Sequence, residues 1–484
     1  MNDSRPGRRP RPSPAPADRR RRPPVADPRR VAYDALAAVH RDDAYANLAL
    51  PTLLRQAGLS GRDAALATEL TYGTLRRRGT LDAVIAAAAD RPVDRIDPPA
   101  RDALRLGAYQ LLFTRIPPHA AVSATVGQVR VLAPGATGFA NAVLRKVSTR
   151  SVDDWIDQVA PAYGDDPVAH LAVAHSHPAW IVRAFADALG EDLSAGGGGA
   201  TTETARALAE DNEPAPVHLC ARPGRTDAVE LADEVGGTPG AFSPYAVYLP
   251  GGAPGALRAV TDGRAHVQDE GSQLVTTALA RASVSEGPAQ RWLDMCAGPG
   301  GKAALLGALA AQQGAAVTAV EVADHRARLV EQAVRGLPVT VVRGDAREVG
   351  PGEDVPAASF DRVLVDAPCT GLGALRRRPE ARWRRAPSDL PGLARLQREL
   401  LVAGIEAARP GGVVAYVLCS PHVVETRVSL AEARRRSPQP TELLDARAFL
   451  PEGMPALGDG PVVQLWPHRH GTDAMFLALL RRTA

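Results

Sequence analysis

From about residue 266 to the end of the chain, short apolar runs alternate with helical stretches. The candidate strands are Arg291–Cys296, Val317–Val322, Val339–Arg343, Arg362–Asp366, Val413–Cys419 and Ala474–Leu480. Alternation of this kind predicts a doubly wound parallel α/β sheet. It also predicts where chemistry would be found, because ligands of open α/β sheets gather outside the carboxyl ends of the strands. Side chains delivered to those ends are the first candidates for a site.

At 484 residues the chain is too long for one core, so two or three domains are expected. Residues 28–150 repeat apolar side chains at three- and four-residue steps, among them Val31, Leu36 and Val39 and, later, Leu48, Leu50, Leu53 and Leu54. With the run Ala103–Phe113, and no strand-like alternation, they predict an all-α domain. Residues 151–265 are mixed and predict a small α+β module. In it Trp180–Phe185 reads as helix, Gly196–Gly199 as loop and Val217–Ala221 as strand. Residues 1–27 are rich in Pro and Arg, with almost no large apolar side chains, and should be disordered. They serve either as a solubilising tail or as a tether for RNA phosphates.

The net charge of +3 hides an asymmetry. Residues 1–30 hold ten Arg and three Asp, which leaves 47 basic and 51 acidic side chains in the remainder. The body is therefore no uniformly basic nucleic-acid binder, and any contact with RNA or DNA must come from the tail and from local patches. No apolar stretch is long enough to span a membrane, and no apolar secretory core opens the chain. Four cysteines make no disulfide framework, so a cytoplasmic location is expected. No Cys or His pair has metal-ligand spacing, so no metal is expected, and His468-Arg469-His470 reads as a solvent-exposed turn.

Cys369 and Cys419 each close an apolar run, which brings two thiols to the strand-end edge and suggests covalent chemistry on a bound substrate. The segment Asp294-Met295-Cys296-Ala297-Gly298-Pro299-Gly300-Gly301-Lys302 follows the first strand of the sheet and opens a helix. Its glycines let backbone approach a ligand. Glu321, ending the second strand, suits ribose hydroxyls, and Asp345, after the third, suits an adenine edge. The loop lacks the Gly-Lys-Ser/Thr ending of a phosphate loop and the Gly-x-Gly-x-x-Gly dinucleotide pattern. S-adenosylmethionine, which has a carboxylate, ribose and adenine but no phosphate, fits best. Lys302 is one of only two lysines against 55 arginines, a hint that arginine would not serve there.

Asp294–Lys302, Asp366-Ala367-Pro368-Cys369-Thr370-Gly371-Leu372-Gly373 and Cys419-Ser420-Pro421 together resemble the Sun/Fmu family of RNA cytosine-5 methyltransferases. The helical region resembles the NusB-like RNA-binding domain of the branch that methylates bacterial 16S rRNA. His177-Pro178-Ala179-Trp180 and Gln268–Gln273 are similar to the same branch. Leu418 and Ala303 depart from the threonines common in the family, and Leu219–Arg222 lacks its Arg-x-Asn pattern.

The resemblance implies a class I methyltransferase domain over residues 266–484 that takes S-adenosylmethionine at Cys296–Lys302, Glu321, Asp345 and Asp366. It implies Cys419 as nucleophile on C6 of cytosine, Cys369 as the thiol of proton removal and product release, and Asp366 as the group holding the base. In the related DNA enzymes the Pro-Cys thiol attacks instead, so swapped roles for Cys369 and Cys419 are the alternative. In that topology the fourth and fifth strands are neighbours, their ends roughly 5 Å apart. A monomer acting on 16S rRNA is expected. The alternatives are the same chemistry on tRNA or another rRNA site, or a non-catalytic RNA-binding assembly factor. Arg376–Arg385, with six arginines and Trp383 just after the catalytic loop, is expected to meet RNA phosphates and stack on bases.

Overall fold

The computed structural model describes residues 27–194, 201–285, 290–350 and 353–484. The tail up to residue 26 and the Gly196–Gly199 segment lie outside the described residues. Helices Pro28–Arg41, Ala46–Ala57, Gly61–Arg76, Arg78–Ala89, Pro98–Phe113, Pro118–Leu132 and Thr137–Val147 build the first region. Pro98–Phe113 is buried almost all round between Ala100 and Gln110, as the central helix of this region. Its two buried charges are paired: Asp102 accepts from His40 at 2.8 Å, and Arg105 donates to Asp82 at 2.6 Å.

The middle region starts with helices Val152–Val159, Pro167–Ala174, Ala179–Leu189 and Glu203–Glu210. A small antiparallel sheet follows, of β1 (Val217–Ala221), β2 (Thr238–Pro239), β3 (Ala246–Leu249) and β4 (Ala265–Val267), in the order β2-β3-β1-β4. Cys220 on β1 is a fully buried core residue, as its apolar neighbours imply.

The large sheet comprises β5 (Arg291–Asp294), β6 (Ala316–Val320), β7 (Val339–Val342), β8 (Phe360–Asp366), β9 (Ala408–Leu418), β10 (Thr441–Leu444), β11 (Val463–Gln464) and β12 (Phe476–Arg482). Its order is β10-β12-β9-β8-β5-β6-β7, with β11 paired to β12. From β9 to β7 all neighbours are parallel. Helices Gly301–Gln312, Asp324–Ala333 and Leu390–Ala407 make the crossovers. The sheet is mixed rather than wholly parallel, because β12 runs antiparallel to both β9 and β10. The chain after β10 stays at the carboxyl edge, so β12 can only run back down the sheet. Its apolar run specified burial, not direction. β10 and β11 were not legible as strands: β10 is half exposed along its length and β11 has two residues.

Candidate active site

The carboxyl ends of β5, β6 and β7 lie side by side and carry three acids. Asp294 closes β5 and is fully buried. Its Oδ1 accepts the N–H of Cys296 at 3.3 Å, while Oδ2 has no hydrogen-bond partner among the described residues. Burial, with the charge of Asp366 adding to it, pushes the Asp294 pKa up to about 7. Glu321, just past β6, is buried and accepts the N–H groups of Gly298 and Ala323, each at 3.0 Å. Arg326 donates to the Gly298 carbonyl at 2.5 Å. A Cβ on Gly298 would come within 2.3 Å of Glu321 Oε2, so only glycine lets this carboxylate lie against the loop. Gly300 has φ +111°, and a Cβ there would meet Ala333 Cβ at 2.6 Å.

The loop Cys296–Lys302 and Glu321 therefore form one cradle, and the orphaned Asp294 oxygen leaves an acceptor for a donor from outside the chain. These residues fit S-adenosylmethionine. Burial and the nearby acids Asp294 and Asp366 push the Cys296 thiol up, which suits a backbone role rather than thiolate chemistry. Asp345 sits three residues beyond β7 and is engaged by Arg347, whose Nε lies 3.0 Å from both carboxylate oxygens. Arg347 in turn reaches Glu399 at 2.5 Å.

The ends of β8 and β9 hold the thiols. Asp366 pairs in register with Val417, so Cys369 and Cys419 leave adjacent strands just beyond that point. Their Sγ atoms are 3.4 Å apart, closer than one strand spacing, and both residues are half-buried. A hydrogen bond from Cys369 holds the Cys419 thiol below its ordinary value against burial, with Lys302 and Arg378 assisting. The same hydrogen bond, and then burial, push Cys369 well up. The contact lets one thiol of the pair give up its proton while the other keeps its own. Lys302 Nζ donates to Asp366 Oδ2 at 2.8 Å. Burial opposes its charge, but Asp366 outweighs burial and the ammonium is held charged. The ammonium makes this contact as a compact point charge on a flexible stem.

Three further residues close this edge, and no sequence signal beyond their position in the motifs marked them. Gly373 donates to the Cys419 carbonyl at 2.9 Å and accepts from Ala474 N at 2.8 Å. A Cβ there would lie 2.0 Å from the Ala474 oxygen, so the two cysteine loops and the start of β12 meet only over glycine. Thr370 and Ser420, neighbours of the two cysteines, bring their hydroxyls to 3.1 Å of one another.

The arginine run does not form the expected RNA face. Arg376 binds Glu210 at 3.1 Å and the Gly471 carbonyl at 2.7 Å. Arg377 binds Asp269 at 2.8 Å and Asp473 at 3.0 Å. Arg382 is fully buried and donates to the carbonyls of Arg76 (2.9 Å) and Asp211 (2.5 Å) and to Asn212 Oδ1 (2.7 Å). Arg384 donates to the carbonyls of Val39 and Ala44 at 3.1 and 2.7 Å. Trp383 packs where a Cβ on Gly79 would be 2.7 Å away. The run therefore ties the methyltransferase fold to the two regions before it, since the guanidinium fork satisfies carbonyls left open at a seam. Of the six arginines only Arg378 and Arg385 are exposed. His468-Arg469-His470 is likewise no exposed turn: His470 is buried and His468 contacts Glu203 at 2.6 Å.

No helix among the described residues is long and apolar enough to cross a membrane. Comparison with known proteins supplies the family. Residues 283–481 match the model described as 16S rRNA methyltransferase RsmB/F, and residues 26–149 match the NusB family. A Mycobacterium tuberculosis protein provisionally named a methyltransferase is 57% identical over 96% of this chain and 98% of its own. An Escherichia coli protein named ribosomal RNA small subunit methyltransferase B is 34% identical over 77% of this chain and 81% of its own. In fold, the crystal structure of PH0851 superposes with a TM-score of 0.75 at 20% identity, covering 94% of this chain and 99% of that one. The strand order, the loop after β5 and the paired thiols thus sit in a chain that belongs to the 16S rRNA methyltransferase RsmB/F family, with a NusB-family domain at its N-terminal end.

Proposed function

We propose that this S-adenosylmethionine-dependent RNA methyltransferase modifies C5 of a cytosine in 16S rRNA through a covalent adduct with Cys419. The observation that carries the proposal is the pair of thiols 3.4 Å apart beside the Lys302–Asp366 contact, at the ends of adjacent parallel strands. C5 of cytosine is a poor nucleophile until a thiolate adds at C6. Cys419 Sγ bonds to C6, and the electron pair of the C5–C6 double bond is delivered at C5. Asp366, anchored by Lys302, holds the base through its hydrogen-bonding edge and drains charge from the ring. S-adenosylmethionine supplies an electrophilic methyl group when bound. Cys369 assists removal of the C5 proton, after which the C6–S bond breaks and its electron pair returns to Cys419.

Cys296, Ala297, Gly298, Pro299, Gly300, Gly301 and Lys302, with Glu321, Asp345 and Asp366, would hold the cofactor. The NusB-like domain would hold RNA flanking an unstacked target base. Cys369→Ala is expected to accumulate a covalent protein–RNA adduct resolved on a denaturing gel, and Cys419→Ala to form none. Adducts confined to the Cys419 variant would reverse the two roles. Bisulfite sequencing of ribosomal and transfer RNA, with and without the gene, identifies the substrate, and protection of tRNA cytosines alone would move it off the ribosome.

A further inference from the structure

Cys369 and Cys419 lie on separate loops, yet the residues beside them converge on one carboxylate. Glu425 is fully buried. Its Oε1 accepts the backbone N–H of Thr370 at 2.8 Å and the side-chain N–H of Gln397 at 3.0 Å. Its Oε2 accepts the Ser420 hydroxyl at 2.6 Å and the Thr370 hydroxyl as well. The same Gln397 amide group reaches the carbonyl of Pro368 at 2.9 Å, on the other side of Cys369. Both loops are thereby gripped next to their thiols by a single side chain.

The backbone of Glu425 is held as tightly. It lies in a one-turn π-helix, Val424–Val428, in which Val428 N bonds to Val423 O at 3.1 Å. Its carbonyl accepts from the Tyr416 hydroxyl, on β9, at 2.7 Å. Such wide turns cluster at functional sites. A buried charge is a poor way to add stability, since apolar replacements of buried ion networks are often neutral or better. Its use here is connection: without it, among the described residues, the N–H and hydroxyl of Thr370 are joined to the hydroxyl of Ser420 by their own 3.1 Å contact alone.

We propose that Glu425 is a positioning residue whose carboxylate clamps Thr370 to Ser420 and so holds the thiols of Cys369 and Cys419 at contact distance. The consequence for rate rests on the catalytic reading of the two cysteines; the spacing itself does not.

The test uses the full-length protein with Glu425→Ala and Glu425→Gln. Gln retains one acceptor for the N–H groups, and its amide can donate to hydroxyls that turn round to accept. Glu425→Ala should lower kcat by about 100-fold, the scale on which small misplacement of reacting groups costs rate. KM for RNA and the Kd for S-adenosylmethionine should stay within about twofold, and Glu425→Gln should recover kcat to within about tenfold of wild type. Phenylarsine oxide, which must bridge two close thiols, reads the spacing without any turnover. Its affinity should fall at least about tenfold in Glu425→Ala and return in Glu425→Gln, in line with the lost preorganisation.

Unchanged arsenical affinity in Glu425→Ala, or equal damage in both variants, would overturn the clamp. If Glu425→Ala no longer binds S-adenosylmethionine, Ser420→Ala removes a single donor and should still weaken arsenical bridging with cofactor affinity intact. Wild-type bridging in Ser420→Ala would then overturn the proposal. Wild-type methylation by Cys419→Ala and by Cys369→Ala would instead remove the catalytic reading and leave the arsenical result standing.

Discussion

The chain that closes and follows β8 contains two neighbouring stretches of opposite fate. Asp366–Gly373 stays at the carboxyl edge of the sheet, where it brings a carboxylate, a thiol and a close-approach glycine together with the loop after β9. Arg376–Arg385, starting three residues later, turns away and buries most of its charge in the seam against the helical and middle regions. A strand end has a location dictated by the sheet, whatever its side chains. A charge run has none until its partners are known, and Arg382 finds partners about 170 and 306 positions away in sequence.

That contrast can be broken most sharply at Cys419. Cys419→Ala should abolish methyl transfer, a loss of about 10⁴-fold or more, while RNA affinity is retained. Retained turnover would show that the strand-end position alone had misled. Arg382→Ala should instead act on stability. It leaves buried carbonyls and Asn212 without their donor, at a cost of about 3–5 kcal/mol in the first unfolding transition in urea. A melt indistinguishable from wild type would mean the seam is held by other contacts.

Asp294→Asn sharpens the acid side of the edge. The Asp294 carboxyl has its pKa raised from 3.8 to about 7 by burial. Between those values the unfolded chain releases this proton first, so stability falls as pH rises and stays low above about pH 7. The non-ionising Asn should raise the melting temperature at pH 8, with the gain vanishing near pH 4. The smallest effect belongs to the arginines left exposed. Arg378→Ala should weaken RNA binding a few-fold and lower the salt slope by about 1, whereas the Arg382 variant, refolded at low temperature, should leave that slope unchanged. A larger change of slope from Arg382 would restore the run as an RNA face.

Much of the candidate site was legible in the sequence alone. Apolar strand runs, the glycine loop after β5 and the acids and thiols at strand ends are local patterns, and sheet topology converts them into one edge. Lys302, singled out by scarcity, proves to be the partner of Asp366. Glu425, Thr370 and Ser420 were not legible as a unit, because a buried carboxylate six residues past a cysteine looks like any helical acid until its donors from another loop are placed. The reversed direction of β12 was hidden for a related reason: apolar periodicity reports burial, and burial is the same whichever way a strand runs.

By itself the sequence determined which side chains reach the carboxyl edge, since that depends on spacing along each strand and the turn that follows it. Only the tertiary structure decided that the thiols touch, that one carboxylate links their loops, and that most of the arginine run faces inward. Those outcomes depend on pairings between groups distant in the chain, whose free energy depends on the burial and geometry of both partners and is not written in either one alone.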